Sequence, residues 1–121
     1  MVTIEKTELG EFKGRNAIYL DYEIYSHVDS SLSFLGEVNG TLCSEVQSDD
    51  FIPYNIKFKD VRNHKKITID EWYSLDEPIH ERASSFYSIN NGDDRKFFFK
   101  TYDWVFEVWA KDYEISFDQD T

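Results

Sequence analysis

Cysteine, proline and glycine are all scarce in this chain, and each scarcity narrows what it can be. One cysteine, Cys43, in 121 residues cannot close an internal disulfide or supply a zinc framework, and it fits a reducing compartment. Two prolines and five glycines are too few for a low-complexity or linker-like chain. No repeat or composition break divides it, so a single domain over 1–121 is expected. No apolar run approaches the roughly 20 residues of a membrane-spanning helix. The opening MVTIEKTELG lacks the basic start and apolar run of a secretory signal, so the expectation is a soluble, cytoplasmic protein with no membrane association.

Positive charge is short as well. Thirteen Lys and Arg stand against 24 Asp and Glu, a formal net charge of −11 at pH 7. General electrostatic attraction to nucleic acid is thereby disfavoured, and a partner steered by the field of this protein would be cationic.

Signatures of chemistry are missing too. His27, His64 and His80 lie far apart, with no two at metal-ligand spacing, so neither a metal nor a cofactor is expected. There is no phosphate-cradling glycine loop, no GxSxG elbow and no HExxH. Cys43, alone among strand-like residues, reads as an inert packer on a less buried face rather than as a nucleophile. Asp103 and Glu107, four residues apart on an extended strand, would be separated by roughly 13 Å, too far for a pair of glycosidase carboxylates. The acidic pairs Asp49 and Asp50, Asp93 and Asp94, and Asp118 and Asp120 lack the spacing of a calcium loop and read as solvated. The expected class is non-enzymatic.

What the chain has in quantity is aromatic residues, 17% of the total, concentrated between Lys96 and Phe117. There Tyr102, Trp104, Phe106, Val108 and Ala110 form an even-numbered apolar row. The odd positions Thr101, Asp103, Glu107 and Lys111 are polar, with Val105 and Trp109 between them. Period two with aromatic and β-branched content predicts a central strand, one face fully buried and the other partly covered. After Ala110 the apolar parity changes to Tyr113, Ile115 and Phe117, which requires a bulge or tight turn near Lys111 and Asp112.

The remainder reads as further strands. Val2 and Ile4 begin a short one, followed by a loop around Gly10 and Gly14. Over 16–26, Ile18, Leu20, Tyr22 and Ile24 alternate with Tyr19, Asp21, Glu23 and Tyr25, predicting a half-buried strand closed by a turn at HVDSS. Asn39 and Gly40 predict a hairpin, with a three-residue loop Val38 to Gly40 pairing Glu37 with Thr41 and aligning Leu32, Phe34, Gly36, Leu42, Ser44 and Val46. Ile52, Tyr54, Ile56 and Phe58 mark another half-buried strand, with Pro53 suggesting an edge or a strand start. Its hairpin partner is expected at Lys66 to Tyr73, across a basic turn at 60–66. Ser74 and Glu77 have capping-box spacing and Pro78 fits a first helical turn, predicting a short helix around 75–83. NNGDD at 90–94 is a turn.

The expected fold is therefore all-β or β-rich α+β: a single antiparallel sandwich or barrel-like sheet of about seven to eight strands with at most one short helix. The expected function is that of a small acidic interaction protein, immunity-type or adaptor-like, binding a basic protein. The competing class is a sandwich or barrel binding a small ligand or carbohydrate on exposed aromatics, for which a pair of coplanar exposed Trp rings would be the mark. Tyr19, Asp21, Glu23 and Tyr25, lined along one strand face, are the candidate binding stripe, with Trp72 and Trp109 as further candidates.

Overall fold

The computed structural model describes residues 2–14, 16–45, 50–74, 84–92 and 94–117. Those residues form two antiparallel sheets packed face to face. One holds five strands: β1 (Val2–Ile4), β5 (Asn63–Thr68), β6 (Phe86–Asn91), β7 (Asp94–Lys100) and β8 (Trp104–Ala110), in the order β1-β6-β7-β8-β5. The other holds β2 (Ile18–Ser26), β3 (Ser31–Asn39), β4 (Phe51–Lys59) and β9 (Asp112–Phe117), in that order. An all-β sandwich of nine strands results, with one short helix, α1, at Ile69–Ser74.

The core between the sheets is aromatic because period-two alternation on both sheets sends Phe inward. Phe34 on β3 stacks on Phe99 at 5.4 Å, lies 4.4 Å from Phe106 and meets Phe58 edge-on at 5.8 Å. A second, smaller core lies on the outer face of the five-stranded sheet, where Ile67, Ile69, Trp72, Tyr87, Phe98 and Val105 are buried together. β8 thus buries both faces, Phe106 and Val108 inward and Val105 outward, as its sequence requires.

The parity change after Ala110 is a change of sheet. β8 ends at Ala110, Lys111 makes the corner with its N–H donated to the Lys59 carbonyl, and β9 begins at Asp112 in the other layer. The same kind of crossing follows β4, where Asp60 takes a left-handed φ of 53° and Arg62 donates its N–H to the Trp109 carbonyl.

Three sequence expectations are corrected by these crossings and turns. β4 and the 66–73 stretch do not pair: β5 joins the opposite sheet beside β8, and Ile69–Ser74 is helical, with the Thr68 hydroxyl accepting from the Glu71 N–H at its start. The helix expected at 75–83 lies outside the described residues. Asn39 and Gly40 do not close a hairpin either. The Asn39 side chain accepts hydrogen bonds from the N–H and hydroxyl of Thr41, which caps a 3-10 turn at Gly40–Leu42, and β3 pairs with β4 instead. An Asx side chain that bonds the backbone two residues on competes directly with a ladder. As a result Cys43 lies buried in the main core rather than on an exposed face, bridged in backbone to Phe12. Pro53 is the third residue of β4 and lies opposite Glu37 of β3, inside the sheet rather than at its start.

Candidate functional site

The site begins with a bulge. β2 and β3 run in regular register from Ile18 opposite Val38 to Leu20 opposite Gly36, and then Tyr22, not Asp21, faces Leu35. The cause lies across the ladder at Gly36. A Cβ there would stand 2.0 Å from the Tyr19 carbonyl oxygen, so only glycine lets β2 approach this closely. The Tyr19 carbonyl accepts a hydrogen bond from the Tyr54 hydroxyl at 3.1 Å, and Tyr54 pairs with Gly36 from the other side. Burial raises the pKa of Tyr54, with the Asp21 carboxylate acting in the same direction, so the hydroxyl stays a donor.

One extra residue inverts every side chain beyond it. Ile18 is fully buried and Leu20 half-buried, but Tyr22 and Ile24, expected in the core, stand on the outer face with 68% and 56% of their surface exposed. The proposed stripe is accordingly divided, which corrects its single-face reading. Tyr19 keeps to the outer side, stacked on Tyr102 at 5.4 Å and edge-on to Phe51 at 5.6 Å. Glu23 and Tyr25 turn to the margin between the sheets and meet β5: the Lys66 ammonium contacts Glu23 at 2.6 Å, and Tyr25 stacks on His64 at 5.5 Å. Asp21 is the exposed bulged residue itself.

Between these elements lies a cleft of about 300 Å³, walled by Tyr19, Leu20, Asp21 and Glu23 on β2, by Thr101 to Asp103 of the β7–β8 loop and by Trp104 at the start of β8, with Lys66. The loop is held in place before any ligand arrives. The Tyr102 N–H donates to the Ile18 carbonyl at 2.8 Å, the Ile69 N–H to the Asp103 carbonyl at 3.0 Å, and the Thr101 hydroxyl accepts from the Trp104 N–H at 3.0 Å. Lys66 lies 4.1 Å above the Trp104 ring while holding Glu23, so it is already engaged on two sides. Asp21 and Asp103 form no ion pair with any described residue. Three carboxylates against one committed ammonium leave the cleft acidic, and its rings supply flat apolar walls.

Trp72 and Trp109 are elsewhere. Trp72 is buried in the second core, 5.6 Å from Phe98, and Trp109 is half-buried on the outer face of the five-stranded sheet beneath Lys96. No coplanar pair of exposed tryptophans is present among the described residues. Asp103 lies in the cleft loop, while Glu107 is buried and paired with Lys96 at 2.6 Å. Lys100, also buried, has its pKa pulled down to about 8 by desolvation. Cys43 is pushed up to about 11 by burial, which leaves its thiol protonated and unreactive at neutral pH.

The opposite margin of the sandwich is built differently. The buried Glu5 carboxylate accepts from the Ser88 hydroxyl at 2.7 Å and from the Tyr113 hydroxyl at 2.9 Å, with Arg95 at 3.7 Å and Asp112 beyond it. Its carboxylate has partners on every side, whereas the cleft at β2 does not.

Sequence reasoning singled out Tyr19, Asp21 and Glu23 but missed Tyr102, Asp103, Trp104 and Lys66, which come from other elements, and it placed Tyr22 and Ile24 on the wrong face. Gly36, a glycine inside a strand pattern, was the available signal for the bulge. No group of three His, Cys, Asp or Glu side chains fit to hold a metal occurs among the described residues, and no helix there is long and apolar enough to cross a membrane. Comparison with family models, with curated proteins and with solved structures yields no match to this chain.

Proposed function

We propose that this protein is a non-enzymatic interaction module, of the immunity or adaptor kind, that binds a basic protein and receives a cationic side chain of it in the β2 cleft. The observation that carries this reading is the pair of carboxylates, Asp21 and Asp103, that have no cationic partner among the described residues and face a cleft walled by Tyr19, Tyr102 and Trp104. An Arg or Lys entering there would gain ion pairs and an aromatic face together. The net charge of −11 would steer such a partner inward and repel nucleic acid. A small ligand or carbohydrate is less well served. The cleft is at the low end of the roughly 300–1,000 Å³ range of ligand pockets, and its walls carry carboxylates rather than a mostly apolar lining.

The test is capture of a partner from the source organism with the wild-type chain and with the double variant Asp21→Asn, Asp103→Asn. The expected partner is basic. Its association should slow by about tenfold in the double variant, with a shallower dependence on salt. Equal association rates and equal salt slopes for the two proteins would rule the cleft out as the binding site.

A further inference from the structure

Among the described residues four strands form the margins of the two sheets, and three of them are protected along their whole length as sheet edges usually are. β1 is only three residues long. β5 carries NHKK along its exposed first four positions. β9 is six residues with Asp112 and Glu114 outward, the latter paired with Lys59. β2 carries the bulge at Asp21 and the charge of Glu23, which Lys66 holds, but it is the least protected of the four beyond them. It is nine residues long, pairs on one side only, with β3, among the described residues, and exposes Tyr22 and Ile24 on its outer face.

The two halves of this edge are not equivalent. At its beginning the Ile18 carbonyl is occupied by the Tyr102 N–H, so the β7–β8 loop blocks any incoming chain there. Beyond the bulge, Tyr22 to Ser26 run in unbroken register with β3, and alternate N–H and C=O groups of such a strand point away from its partner. Five residues of regular, one-sided strand are enough to seat a short segment.

Resting on the reading that the partner is basic, we infer that it binds by strand addition: an extended segment of the partner pairs with Tyr22–Ser26 and enlarges the four-stranded sheet by one strand. The side chains of such a segment alternate between two surfaces. Those on the outer side meet Tyr22 and Ile24 and are apolar. Those on the other side meet the margin where Asp21 and Asp103 stand beside the Glu23–Lys66 pair, and are Lys or Arg. Charge weighs against a second copy of this chain as the occupant, because both molecules carry a net charge of −11.

The probe is a ten-residue peptide of alternating Arg and Val, compared with a Glu and Val control and with two derivatives N-methylated at every second residue, one for each parity. N-methylation removes backbone donors without changing charge, and only one parity of an added strand faces β2. The parent should bind, the acidic control should not, and one N-methylated isomer should lose at least about tenfold in affinity while the other keeps it. Ile24→Lys should weaken the parent peptide by a similar factor with the thermal midpoint unchanged. If both N-methylated isomers bind like the parent, strand addition is overturned while recognition of a basic partner stands. If the Arg and Val peptide binds no better than the acidic one, the basic-partner reading falls with it. If sedimentation shows a dimer that Ile24→Lys dissolves, the edge is a self-interface and the inference is wrong.

Discussion

Ile18 and Ile24 lie on the same strand an even number of positions apart, so unbroken alternation would give them the same surroundings; the bulge at Asp21 gives them opposite ones. Replacing each in turn with Thr keeps the β-branched stem, so strand preference is held constant and burial is what differs. At Ile18, fully buried against the main core, the change deletes apolar atoms, leaves a void and buries a hydroxyl. Roughly 1–2 kcal/mol of lost transfer energy and about 1–2 for the buried hydroxyl give a cost of about 3 kcal/mol. At Ile24, 56% exposed, less than half the transfer energy applies and the hydroxyl stays hydrated, so the cost is about 0.5 kcal/mol or less. Urea unfolding resolves the two, because 3 kcal/mol moves the midpoint by roughly 1–3 M at the slopes usual for small domains. Comparable losses at the two positions, each above about 2 kcal/mol, would mean that β2 alternates without interruption and that the outer face of the sheet is not where Tyr22 and Ile24 stand.

Other substitutions test the elements around that strand. Gly36→Ala should unfold or severely destabilise the domain, since its Cβ would meet the Tyr19 carbonyl oxygen at 2.0 Å; a fully stable variant with native near-ultraviolet dichroism would refute the packing described. Tyr54→Phe removes the hydrogen bond to that carbonyl and should cost about 1–2 kcal/mol in chemical denaturation, and no loss at all would mean that the carbonyl is satisfied otherwise. Phe34→Ala, at the junction of Phe58, Phe99 and Phe106, should cost about 3–5 kcal/mol, a large part of the stability of a domain this size. Lys100 has a folded-state pKa of about 8 against 10.5 unfolded, so its desolvation cost is full below pH 8 and fades as pH rises toward 10.5. Lys100→Met should therefore flatten the stability-against-pH curve between 8 and 10, and an unchanged slope would show that the amine is not desolvated.

Much of the architecture was legible because it depends on local alternation. The row at Ile52 to Phe58 buries the side chains that period two assigns to the core. Of the row from Tyr102 to Ala110, Phe106, Val108 and Ala110 are buried, while Trp104 is half-buried and Tyr102 stands exposed before β8; the parity change after Ala110 marked a real discontinuity. Which strand pairs with which was not legible, because a one-residue corner such as Lys111, or a left-handed residue such as Asp60, sends the chain to the other layer without altering the apolar pattern. Asn39 and Gly40 misled for a related reason: a dipeptide that favours a hairpin turn also favours a side-chain-capped 3-10 turn, and the core place taken by Cys43 beside Phe12 decides between them. At the candidate site, Asp21 was recognisable as a residue type in a pattern, but its place at the bulge came from Gly36 opposite and Tyr54 beyond, which only the register brings together.

The bulge therefore links fold and site in a way that alternation alone does not. Without it, Tyr22 and Ile24 would complete the inner face of β2 and Glu23 and Tyr25 would stand on the outer face, leaving an ordinary half-buried edge strand. With it, apolar surface moves outward and Glu23 and Tyr25 turn to the margin, where Lys66 and His64 meet them from the other sheet. Exposing Tyr22 and Ile24 forgoes burial that could stabilise the core by roughly 1–3 kcal/mol per side chain. The arrangement is nonetheless supported by three separate features: a glycine where no other residue fits, a tyrosine hydroxyl on the displaced carbonyl, and a loop amide on the preceding one. A strand margin that is specified this closely and left apolar on its outer face supports the proposal that a partner binds there.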